Sequence, residues 1–97
     1  MFVTVHNYKI GEGTQLDVAR SAQGFLEMVS AIPGFRAYYM IDEGDHRIGS
    51  VSIFDTAEGV QECDRRAAEF VTDRLGGFQL SDVETTEGKV LASQLSR

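Results

Sequence analysis

The stretch Pro33–Asp55, "PGFRAYYMIDEGDHRIGSVSIFD", decides how the rest of the chain is read. Proline disfavours helical geometry in the residue before it and glycine permits a reversal, so Pro33 and Gly34 close whatever precedes them. Phe35–Glu43 then reads as one strand and Arg47–Phe54 as the next, with "GDH" as a tight turn between them. This is a hairpin in the middle of the chain. Adjacent strand residues point to opposite faces, so one of Tyr38 and Tyr39 belongs under whatever covers the hairpin and the other faces away.

Working outward, "FVTVHNYKI" at Phe2–Ile10 is rich in β-branched and aromatic residues and reads as a leading strand. Thr14 with Asp17 three residues on signals a helix start. Val18, Ala22, Phe25, Val29 and Ile32 recur at spacings of three and four, predicting one amphipathic helix of about five turns, weakened at Gly24. After the hairpin, Asp55 and Glu58 predict a cap for a second helix, whose apolar face is Cys63, Ala67, Phe70, Val71 and Leu75. The charged residues Asp64, Arg65, Arg66, Glu69 and Asp73 read as its solvated side. Gly76 and Gly77 end it, and after a short extended piece a last strand is expected from about Glu87 to Ala92. The order βαββαβ predicts a single ferredoxin-like α+β domain over residues 1–97, an antiparallel four-stranded sheet with two helices on one face.

Two helices cover one side of such a sheet, and neither alternating set of the first two strands is cleanly polar. The second side therefore needs a partner, and a second copy of the sheet is the simplest one, which predicts a homodimer through the helix-free face. A net charge of −6 disfavours phosphate backbones and anionic lipid surfaces, so neither nucleic acid nor membrane is an expected partner. No run approaches the roughly 20 apolar residues that span a bilayer, and the leading strand does not resemble a signal peptide; a soluble, cytoplasmic protein is expected. Cys63 is the one cysteine and His6 and His46 are the two histidines, a set without metal-ligand spacing. No metal and no cofactor are expected, and Cys63, on an apolar helix stripe, reads as core.

The leading strand, a first helix ending in "IPGF", a hairpin closing with "SVSIFD", a second helix carrying "AAEFV" and a late "TEGKV" together resemble the antibiotic-biosynthesis-monooxygenase-like superfamily of dimeric α/β barrels. The resemblance covers nearly the whole chain. It implies a homodimer whose sheets pack face to face, with a pocket in each subunit between sheet and helices. It also implies a choice of activities, including cofactor-independent oxygenation of polycyclic phenols and heme degradation. Asn7 matches an asparagine on the first strand of the heme-degrading branch. That branch also uses a tryptophan and a histidine on the second helix; here Phe70 stands where many relatives have tryptophan, and the second helix has no histidine. Heme degradation is not expected.

Three residues are the candidate catalytic set. Asn7 would hydrogen bond a substrate carbonyl or phenolate, as the resemblance implies. His6 is a candidate general base, because imidazole titrates near neutrality. His6 and Asn7 are adjacent on a strand, so only one of them lines a given pocket. If Phe35 packs beneath the helices, strand alternation puts Tyr39 on the same side and makes it the ligand candidate, with Arg36 on the other face. The expected function is binding of an aromatic or apolar small molecule, with cofactor-independent monooxygenation as the enzymatic form. The alternative is a non-catalytic ligand-binding or interaction module of the same fold.

Overall fold

A computed structural model describes residues 1–96, in the order β1 (Phe2–Lys9), α1 (Gln15–Ser21), α2 (Gln23–Ser30), β2 (Phe35–Gly44), β3 (Arg47–Phe54), α3 (Ala57–Arg74), a 3₁₀ turn (Gly76–Phe78) and β4 (Ser81–Lys89). The four strands form one antiparallel sheet in the order β2-β3-β1-β4. Gly44, Asp45 and His46 have φ of 73°, 47° and 56°, the left-handed geometry a two-residue hairpin turn requires. The Asp42 carboxylate accepts from the Gly44 N–H at 2.8 Å and fixes that turn.

The helices lie on one face of the sheet, with α3 over β1 and β3 and α2 over β2. The first helical stretch is two helices rather than the single one its periodicity predicts. The chain breaks at Ala22 (φ −90°, ψ 6°), whose N–H is shared between the Val18 and Ala19 carbonyls. A tightened turn there still lets Val18, Ala22 and Phe25 all face the sheet, so the apolar stripe reads straight through the break. Thr14 and Asp17 form the expected capping box. At α3 the cap is Thr56, which accepts from the Gly59 N–H, while the expected Asp55 pairs with Arg36 instead. The last strand also begins earlier than expected, at Ser81, and ends at Lys89. As an edge strand paired only to β1, it is set by that register and not by an apolar pattern of its own.

One irregularity decides which side chains reach the core. Phe35 lies opposite Phe54 and Ala37 opposite Ile53, so β2 takes two steps where β3 takes one, and Arg36 is the extra residue of a β-bulge. Phe35 packs on Phe54 at a ring separation of 5.8 Å, as expected. Past the bulge the alternation is reversed. Tyr38 and Met40 face the helices, while Tyr39 and Ile41 lie on the helix-free face, 59% and 43% exposed. The expectation that Tyr39 shares the side of Phe35 is thus corrected, because the bulge inserts Arg36 as one extra residue into the alternation.

Candidate functional site

The core is in two parts. One surrounds Phe25, Val29, Ile32 and Phe54, the other surrounds Ile10, Val18, Ile48 and Leu75, and Phe70 packs against both. Between them small residues face each other: Ser50 and Ser52 from β3, and Ala22, Cys63 and Ala67 from the helices. Short side chains on both walls leave a slot between sheet and helices. It holds about 520 Å³ of space between side chains, part of it continuous with solvent at the mouth. The slot is narrow, apolar and walled by rings. Phe25 meets Tyr38 edge-on at 5.7 Å and Phe70 at 5.6 Å.

The polar groups in the slot hold their protons. Burial pushes the Tyr38 hydroxyl up to about 12, partly offset by a hydrogen bond to Ser50. Burial likewise takes the Cys63 thiol up to about 11 against a hydrogen bond to Ser52, and it raises Tyr8 with the help of the Asp64 charge. At neutral pH these are neutral donors, not nucleophiles.

His6 is the imidazole that lines the slot, and its ring is tied down on every side. Nε2 lies 2.7 Å from Asp64 Oδ1 on α3, and the Thr4 hydroxyl donates to the same oxygen at 2.7 Å. Nδ1 lies 3.2 Å from the Thr85 hydroxyl on β4. The Tyr8 ring stacks alongside at 6.2 Å. Burial acting on Asp64 would raise its carboxyl, but side-chain hydrogen bonding, above all with His6, outweighs burial and holds it below the usual carboxylate range. Glu87 moves the opposite way, raised by its hydrogen bond to Asp64 and by repulsion from that charge. Asp64 Oδ2 is buried without a hydrogen-bond partner among the described residues.

Of the three candidate residues the fold brings only His6 to the slot. Asn7 lies on the opposite face of β1 beside the Glu43 carboxylate, to which its amide donates at 2.9 Å when oriented with its nitrogen toward that group. Tyr39 is on that same helix-free face, two strands away across β3. Arg36 pairs with Asp55 at the strand end, and Cys63 is buried in the core as expected. Two residues of the site, Thr85 and Asp64, have no functional role in the sequence reading, and a third, Tyr38, enters it only as the other member of the tyrosine pair. Tyr38 takes the place given to Tyr39, Thr85 is an ordinary threonine of an edge strand, and Asp64 was assigned to the solvated side of α3. Asp64 in fact sits beside Cys63 on the margin of the apolar stripe, with its side chain only 17% exposed. That marginal position was the one sequence signal available.

No family model matches the chain, and no curated protein matches it by sequence. Its fold does match solved structures. A monooxygenase from the ActVA-Orf6 gene of Streptomyces coelicolor, in complex with the ligand nanaomycin D, superposes with a TM-score of 0.76 at 18% identity, covering 99% of this chain and 92% of that one. The heme-degrader MhuD from Mycobacterium tuberculosis, with two hemes bound in its active site, gives 0.73 at 15% identity over 97% and 99% of the two chains. A dimeric ferredoxin-like protein from an uncultured marine organism gives 0.71 at 18% identity over 98% of each. The chain shares the ferredoxin-like fold of these structures.

Proposed function

We propose that this chain forms a homodimer through its helix-free sheet face and binds a flat aromatic or other apolar small molecule in the slot between sheet and helices. The observation that carries this reading is the slot itself. Aromatic rings and small side chains leave space in the middle of an otherwise packed core, and the polar groups there are a few neutral donors and His6, the pattern of a ligand pocket. Tyr38 and Ser50 are the groups to hydrogen bond a phenolic or carbonyl oxygen. The enzymatic form of the proposal is cofactor-independent monooxygenation, in which the bound substrate's own carbanion reacts with dioxygen while the protein supplies shape, desolvation and hydrogen bonds.

A second reading, ligand binding without catalysis, has its own support. The slot's imidazole has both nitrogens engaged, by Asp64 and Thr85, so neither is turned toward a ligand. Heme degradation has the least support, since α3 carries no histidine and the slot is narrow.

Titration with polycyclic phenols, followed by protein fluorescence and oxygen uptake, tests these readings. Saturable binding that Tyr38→Phe weakens by about 0.5–1.5 kcal/mol, as for one neutral hydrogen bond, is the expected result. Oxygen uptake without added metal or flavin supports the enzyme, and binding without uptake supports the module. Tight stoichiometric heme binding with reductant-dependent loss of the Soret band overturns both.

A further inference from the structure

We propose that Thr85, His6 and Asp64 form an acyl-accepting site at the outer edge of the sheet, where the Thr85 hydroxyl attacks small activated esters. The inference is independent of any ligand in the slot. A carboxylate only accepts, so the 2.7 Å contact with Asp64 Oδ1 places the proton of a neutral imidazole on Nε2. That leaves the His6 lone pair on Nδ1, and the group lying against it is the Thr85 hydroxyl at 3.2 Å. A hydroxyl, a buried imidazole and a carboxylate that fixes its tautomer are the parts of an activated nucleophile, in the order such chemistry needs.

The surroundings fit this use. His6 is 7% exposed and clamped between Thr4, Tyr8 and Asp64, so its ring is preorganised. Thr85 is exposed, and it lies on the helix side of the sheet, so face-to-face pairing of two sheets leaves it accessible. β4 is an edge strand, so some of its backbone N–H groups have no strand partner and are available to a developing oxyanion. Two residues along, Glu87 borders a shallow groove formed with Phe2, Ala57 and Val60, wide enough for a small leaving group. Glu87, on the same face as Thr85, favours neutral or cationic esters over anionic ones.

The step balances without a co-reactant. The Thr85 oxygen bonds to the acyl carbon and its proton passes to His6 Nδ1. The tetrahedral adduct expels the leaving alkoxide or phenolate, which takes that proton. Water repeats the sequence, releasing the carboxylic acid and restoring Thr85.

The test uses 4-nitrophenyl acetate, with release of nitrophenolate followed by absorbance and the site of acetylation mapped by mass spectrometry. A burst with acetyl on Thr85 is expected, kept in Thr85→Ser and absent in Thr85→Val, an exposed substitution that leaves the core intact. Asp64 is a positioning residue, so Asp64→Asn should slow acylation by about 100-fold and move its pH profile, which a purely structural role would leave in place. Acetyl found only on Lys9, Lys89 or the amino terminus, or an unchanged burst in Thr85→Val, overturns the proposal.

Discussion

Asp64 is the residue at which burial and hydrogen bonding are most directly opposed, and hydrogen bonding wins. Its folded-state carboxyl is held below the ordinary value of 3.8, so its contribution to stability is present above that pH and is lost as pH falls through the depressed value. Glu87, raised above 4.5, has the opposite sign: its contribution is present below 4.5 and fades as pH rises through the raised value. Asp64→Ala should cost about 1–3 kcal/mol at neutral pH in urea unfolding, because it strips Thr4 and His6 of their common acceptor. The same variant should lose the acid-dependent part of the stability curve below about pH 4. Cys63, 1% exposed with its thiol near 11, should react with a disulfide reagent at a small fraction of the rate seen in denaturant. His6 was legible in the sequence as a candidate because a lone imidazole in an apolar strand stands out. Its partners were not legible: Asp64 is 58 positions away and Thr85 is 79, and no local spacing encodes a contact made only when α3 and β4 meet β1.

Elements meet through a few tight approaches, and α3 on β3 is one of them. A Cβ built on Gly59 would lie 2.8 Å from Phe54 Cδ1, and Phe54 is fully buried. Replacing a helical glycine by alanine ordinarily gains about 1 kcal/mol, whereas overpacking a filled core costs about 1–3 kcal/mol. Here the clash should win. Gly59→Ala is expected to lower the thermal midpoint, and a smaller partner, as in Phe54→Leu combined with Gly59→Ala, should recover part of the loss. The same elements show what periodicity can carry. The apolar spacing of Val18, Phe25 and Val29 is a property of one face, so it survived the break at Ala22. Alternation along β2 is a running count, so one inserted residue at Arg36 exchanged the places of Tyr38 and Tyr39. The polar β4 has no face pattern to read, and its start at Ser81 appears only in the pairing with β1.

For the molecule as a whole, the helix-free face is the largest unfinished surface. Tyr39 and Ile41 on β2, Val51 and Ile53 on β3, and Val3 and Val5 on β1 all point there. A pairing that removes about 800 Å² per partner would cover it. Light scattering should give twice the 10.7 kDa chain mass, and Val51→Lys, which puts a charge between Tyr39 and Val5 near the middle of that face, should shift the particle toward the single-chain mass. The position of β1 between β3 and β4 also governs the order of assembly. Of the four strands β1 is made first, yet one of its two edges stays bare until Ser81–Lys89 has been made. The β2–β3 hairpin and its union with β1 close short and middling loops, whereas β4 must close the longest, and slow closure of distant contacts limits folding rate. Nascent chains stalled before Ser81 should therefore hold a three-stranded sheet with an open edge, sensitive to protease and to pairing with other chains. Docking of the nine-residue β4 would then close the last bare edge of β1.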